Sequence, residues 1–141
     1  MNSTAILRLL DEQLAQLTQL GELLILEREK IISREVELLE EAIQNKIVLL
    51  DQIQTKDQAL APLLSDIIIE GEIKDKISDV QAKMQHCQEE NEVNGIMIEE
   101  NQKMMNRLQS MLLEAQGRTR GMTYDKAGKA RVNPSNKGVK A

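Results

Sequence analysis

From Ser3 or Thr4, either able to cap a helix N-terminus, apolar residues return at spacings of three and four: Leu7, Leu10, Leu14, Leu17, then Leu24 and Ile31. This is a buried helical stripe of the kind that forms a coiled-coil seam. One position along, a second register takes over with Ile25, Ile32, Val36, Leu39, Ile43, Leu50 and Ile53, and Lys46 stands inside the series. The stripe therefore rotates around the helix between Gly21 and Ile32, which predicts a bend or a change of packing partner there. Pro62 removes a backbone donor and disfavours helical geometry at Ala61, while Ser65-Asp66 and Glu70-Gly71-Glu72 offer further breaks. The spacing thus predicts a long helix over about 4–60 and a connector over 61–72. Leu63, Leu64, Ile67, Ile68 and Ile69 need burial, so the connector is expected to be a short helix packed back on the bundle.

From Glu72 the period is regular through Ile73, Ile77, Val80, Met84, Cys87, Asn91, Asn94, Ile98, Asn101, Met105, Leu108 and Leu112. Gly117 is placed to close this second long helix, about 72–116. Unbroken, the two helices would measure roughly 85 and 65 Å. The fold class expected is all-α, an elongated antiparallel bundle of long helices with a short connecting helix. A two-helix contact leaves apolar surface that needs a partner, either a second copy in a homodimer or another protein.

Composition narrows this further. There is no Phe or Trp, and Tyr124 is the only aromatic residue, which excludes a sandwich or barrel built on aromatic cross-strand pairs. At 141 residues there is room for one domain. The net charge of −5 conceals an asymmetry: residues 1–116 carry 11 Lys+Arg against 22 Asp+Glu, and residues 117–141 carry 7 against 1. With four Gly and little apolar surface, 117–141 is expected to be a flexible, disordered basic tail behind a helical body of residues 1–116. A single cysteine, no secretory signal and no apolar run near the ~20 residues of a membrane span point to a cytoplasmic protein without membrane insertion.

Catalytic machinery is hard to find. His86 and Cys87 are adjacent on a helix and point about 100° apart, so they do not form a nucleophile–base pair. His86 with Glu90 supplies two metal ligands at most. Gly128-Lys129 lacks the upstream Gly and following Ser or Thr of a phosphate loop. No enzyme and no cofactor is expected, and the acidic body argues against nucleic acid as partner. The informative constellation is in the second helix: five of seven Met lie between Met84 and Met111, and Asn91, Asn94 and Asn101 occupy seam positions. Two readings stand. Met fills gaps while Asn fixes register, or the same residues form an adaptable groove for partner helices. In the tail, Tyr124 within Thr123-Tyr124-Asp125 is a candidate anchor in a partner's pocket.

These segments resemble the FlgN family of flagellar export chaperones. The likeness is carried by Leu23-Leu24-Ile25-Leu26-Glu27-Arg28-Glu29, by Lys46 with Leu49-Leu50, and above all by Asn91-Glu92-Val93-Asn94-Gly95 with Asn101 behind it. Tyr124-Asp125-Lys126-Ala127-Gly128-Lys129 is similar to the family's glycine-containing segment after the last helix. The resemblance implies a bacterial cytoplasmic chaperone that binds the C-terminal amphipathic helices of hook-filament junction proteins. It would prevent their premature assembly and deliver them to the cytosolic domain of the export gate membrane protein. It implies a client-binding site on Asn91, Asn94, Ile98, Asn101, Met105, Leu108 and Leu112, and gate docking through Tyr124, with no nucleotide or metal. The alternative is a structural coiled-coil stalk or spacer of an export apparatus, its seams consumed by self-association.

Overall fold

The computed structural model describes residues 2–120, 123–124 and 130–131. Four helices make up the fold: α1 (Asn2–Ser33), α2 (Val36–Ser65), α3 (Gly71–Glu99) and α4 (Gln102–Arg120). Beyond them, Thr123–Tyr124 (β1) and Ala130–Arg131 (β2) pair antiparallel over two residues each. The expectation of a disordered tail falls, past Arg120, largely outside the described residues. At its start the finding differs, because α4 runs through Gly117 to Arg120 instead of stopping there.

Where the spacing predicts one helix over 4–60, the chain reverses at Arg34-Glu35. Arg34 adopts φ 60, its N–H bonds the Ile31 carbonyl at 3.2 Å, and the Glu35 N–H reaches back to the Lys30 carbonyl at 3.1 Å. These two bonds form a Schellman cap with Arg34 in the left-handed position that glycine usually fills. Gly21, by contrast, lies within an unbroken α1. The expected rotation of the stripe does not occur within α1: Leu24 and Ile31 of the first register stay buried while Ile25 and Ile32 of the second are exposed. Only the packing partner changes, Leu24 belonging to one core and Ile31 to another.

The second expected helix, 72–116, is likewise two. Glu100 caps α3 in a right-handed conformation, and Asn101 opens α4 by accepting the Met104 N–H on its side-chain oxygen at 3.1 Å. Pro62 sits in the last turn of α2, which continues to Ser65, so the connector holds no helix of its own beyond that point. Ile67 and Ile69 pack on the core while Ile68 is exposed, and Gly71, at φ 62, makes the turn into α3 that a Cβ would strain.

Side-chain pairs fix the topology. Glu12–Lys56 and Gln13–Asp57 join α1 to α2 near one end and Glu27–Lys46 near the other, the α1 number rising as the α2 number falls between the two levels, so this hairpin is antiparallel. Between α1 and α3 the pairs Asp11–Lys76 and Arg28–Asn94 keep nearly constant separations of 65 and 66 residues, and these helices run parallel. Glu40–Arg107 and Asp51–Arg118, each 67 apart, make α2 and α4 parallel as well. The molecule is therefore two helical hairpins laid side by side in the same sense, an antiparallel bundle whose longest helix spans roughly 48 Å. The second hairpin has a shorter arm, since α4 has 19 residues against 30 in α2.

That inequality divides the bundle. The lower core is built by three helices, with Ile6, Leu10 and Leu17 of α1, Ile53, Leu60 and Leu64 of α2, and Ile77, Val80 and Met84 of α3. The upper core draws on four: Ile31, then Leu39, Ile43 and Ile47, then Ile98, then Met104, Leu108 and Ala115. Fully burying such aliphatic side chains contributes roughly 1.5–3 kcal/mol each before conformational entropy is set against it.

Two outcomes follow from the turn and from the attachment of α4. Arg34→Gly removes a side chain from a left-handed residue and is expected to stabilise the protein by about 1 kcal/mol, read as a higher urea midpoint with unchanged slope. In the second case, the Arg107 guanidinium hydrogen-bonds the Glu40 carboxylate and holds its pKa below the ordinary 4.5. A carboxyl depressed by folding stabilises above its unfolded pKa, and this contribution fades as pH falls below about 4.5. Methyl NMR signals of Met104 and Met111 should broaden below that pH while Met84 in the lower core stays sharp, and Glu40→Gln should abolish the difference.

Candidate functional site

The helical period divides α4 into two faces. Met104, Leu108, Met111 and Ala115 turn to the upper core, and one position along, Met105, Gln109, Leu112 and Gln116 face a groove between α4 and the upper half of α3. The groove measures about 790 Å³. It stays open because α4 is fastened to α2: Arg107 clasps both Glu40 oxygens, at 2.9 and 3.0 Å, and Arg118 binds Asp51 a few turns later. On the α3 wall are Asn91, Gly95, Ile96 and Ile98. Leu113 and Ile96, 63% and 50% exposed, form apolar lips.

Under the groove lies an ion pair. Glu27 of α1 and Lys46 of α2, 1% and 5% exposed, meet at 2.7 Å. The Lys46 ammonium also donates to Asn91 Oδ1 at 2.7 Å. Asn94 donates from Nδ2 to Glu27 Oε1 at 2.7 Å and to the Leu24 carbonyl at 3.0 Å, and accepts from Arg28 Nε at 2.8 Å. Arg28 in turn pairs with Glu90 at 2.7 Å. Three helices are thus joined by charges that burial would otherwise make costly.

Of the residues singled out by the sequence pattern, the structure brings Asn91, Ile98, Met105 and Leu112 together on the groove lining. It does not bring the other three. Asn94 is fully buried and spends both side-chain atoms inside the bundle, Asn101 caps α4, and Leu108 is a core residue of the upper half. Tyr124 lies in β1, beyond the end of α4. The pattern missed Glu27, Gly95, Ile96 and Leu113. The available signal was Lys46, a charge inside an apolar series, which requires a buried carboxylate opposite.

Cys87 is buried, and its thiol donates to the Leu17 carbonyl at 3.6 Å. Burial pushes its pKa up to about 11, with Lys83 opposing and Glu90 adding to the shift, so at neutral pH it is a protonated core residue and a poor nucleophile. Among the described residues no cluster of three or more His, Cys, Asp or Glu is arranged for a metal ion, and no helix is long and apolar enough to cross a membrane.

Replacing Lys46 with Met should leave Glu27 buried without its cation and destabilise the protein by about 3–5 kcal/mol. Glu27→Gln combined with Lys46→Met should recover much of that loss in urea denaturation. Equal losses in the single and double variants would mean that the two charges are not coupled.

Neither the curated proteins nor the solved structures contain a match to the chain. The family model described as FlgN protein matches residues 1–131, which takes in all four helices. The chain belongs to the FlgN family, whose members act broadly as flagellar export chaperones.

Proposed function

We propose that the groove between α3 and α4 receives the C-terminal amphipathic helix of a flagellar hook-filament junction protein. The chain would hold this client in the cytoplasm, prevent its premature assembly and deliver it to the cytosolic domain of the export gate membrane protein. The observation that carries the reading is the groove itself: an open cleft of mixed lining in which half-buried Met105 and Leu112 form the apolar part, with Ile96 and Leu113 left exposed at its lips and Ile98 buried beneath them. An amphipathic segment that is unfolded before export can lay its apolar face there and fold as it binds. Part of the interaction energy then goes into ordering the client, which keeps affinity moderate and release feasible. Met105 suits the task because its flexible thioether can repack around more than one client side chain. Asn91 supports the floor through Lys46, and Asn94, Asn101 and Leu108 act on binding by holding the groove's shape.

The tail has a separate part in this reading. Tyr124 supplies the aromatic anchor for gate docking, and the surplus of Lys and Arg after residue 117 adds electrostatic attraction to an acidic gate surface. A second reading, a structural coiled-coil component, draws on the outer face of the first hairpin. There Leu26 and Val48 stand exposed across α1 and α2, and a homodimer could form on them.

Calorimetric titration with a C-terminal fragment of a junction protein separates the two, with light scattering for stoichiometry. The chaperone reading expects a defined complex, a negative heat-capacity change, and tenfold or greater weakening by Leu112→Ala with helicity intact. Tyr124→Ala should leave this binding unchanged and weaken docking to the gate's cytosolic domain. No binding by a folded sample at tens of micromolar, with a persistent homo-oligomer, would favour the structural reading.

A further inference from the structure

Two features of the groove concern its occupant and have no evident use within the chain. The first is charge. Glu89, Glu92 and Glu99 line the α3 side, and among the described residues none of them is ion-paired. Among the described residues the α4 side offers Gln109, Gln116 and Leu113 and no charge, and the one cation lining the groove, Lys46, is already held by Glu27. One rim is therefore acidic and the other neutral.

The second is Gly95. It lies in the interior of α3 with no positive φ, and a Cβ built on it would meet nothing within 4 Å. Neither backbone conformation nor crowding inside the chain calls for glycine here, and glycine weakens a helix relative to alanine. It falls on the groove lining in one stripe with Glu92 and Glu99, three and four residues to either side. A missing Cβ at this place lets another backbone come close.

We infer that the occupant of the groove is an amphipathic helix with a basic edge, which lies against the acidic α3 rim and makes its closest backbone approach at Gly95. Glu92 and Glu99 are two turns apart, about 10 Å along α3, so Lys or Arg residues two turns apart on an aligned helix meet both. The helical body of a second copy fits poorly, because residues 1–116 carry 11 Lys+Arg against 22 Asp+Glu and would bring like charge to the rim. The inference deepens the chaperone reading and rests on it.

The test titrates the full-length chain with a junction-protein C-terminal fragment at several salt concentrations, beside thermal unfolding of each variant. Gly95→Ala should raise the melting temperature by roughly 3–5 °C and weaken fragment binding about tenfold, opposite directions that a structural role for the glycine would not produce. Glu92→Gln with Glu99→Gln should weaken binding about tenfold at low salt and flatten its salt dependence. Changing the fragment's basic edge residues to Gln should have the same effect on the wild-type chain and little further effect on the double variant. If Leu112→Ala weakens binding while the Gly95 and Glu variants bind as wild type does, the basic-edged occupant is overturned and the client groove stands. If the folded wild type binds no fragment, the client reading fails and this inference with it. A dimer that Gly95→Leu dissolves would make a second copy the occupant and overturn the proposal.

Discussion

The buried pair of Glu27 and Lys46 is the constraint on which the arrangement turns. Aliphatic seams are permissive: a helix carrying Leu and Ile at every third or fourth position can slide by a turn and still bury them. A lysine inside the seam removes that freedom. Lys46 needs a carboxylate at one height on the facing helix, and a slip of one turn would bury it opposite Leu23 or Ile31. Asn91 and Asn94 extend the same requirement to α3, because both bond the pair directly. The network also sits where the lower core, ending near Leu24, Leu50 and Cys87, gives way to the upper core at Ile31, Ile47 and Ile98. It sets three helices in register at the level where the fourth must be added.

Given that register, the open groove follows from unequal attachments. The turn at Glu100-Asn101 is short enough to keep α4 beside α3, but the charged clasps on α4 reach α2. Each exposed clasp contributes little to stability alone. Together with Met104, Leu108 and Ala115 they choose which neighbour α4 lies on, and the face carrying Met105 and Leu112, packed on the upper core at its edge, is left only partly covered. The groove is thus a consequence of where the second hairpin closes, with no strained element holding it open.

Much of the fold could be read from residue order because burial on a helix is periodic. The stripes from Leu7 onward and from Ile73 onward appear as core, but the second register is no rotation within α1: Ile25 and Ile32 are exposed, and that register is buried only in α2, from Leu39. The reversals could not be read in the same way. Arg34 takes a left-handed conformation without the glycine that would announce it, and the turn is closed by two main-chain bonds together with Ser33 and Lys30 side chains bonding Glu35, a pattern with no distinctive spacing. Asn101 illustrates the complementary failure. An asparagine on a seam and an asparagine capping a new helix have the same spacing, and only the Met104 N–H on its side chain separates them. The spacing predicts a break at Pro62, whereas α2 runs three residues past it to Ser65 and forfeits one backbone donor there. For the site, period alone finds the wall at Asn91, Ile98, Met105 and Leu112, but it cannot tell a residue facing the groove from one a turn away in the core, such as Leu108.

The satisfied floor bears on how such a groove releases what it holds. Had Lys46 been left without Glu27, it would act as a strong fixed charge, and an acidic occupant would leave slowly. With its charge matched and two asparagines bonded to the pair, the floor offers a visitor neither a net charge nor an orphaned donor to saturate. Attraction is then left to the apolar walls, whose contribution scales with the area covered, and to the rim carboxylates. Exposed charges of that kind act mainly on encounter rate and salt sensitivity. Neither locks a segment in place. On the proposed client reading, the stability of the bundle and its hold on a partner fall largely to different groups, so a client would leave without loosening the network that keeps three helices in register.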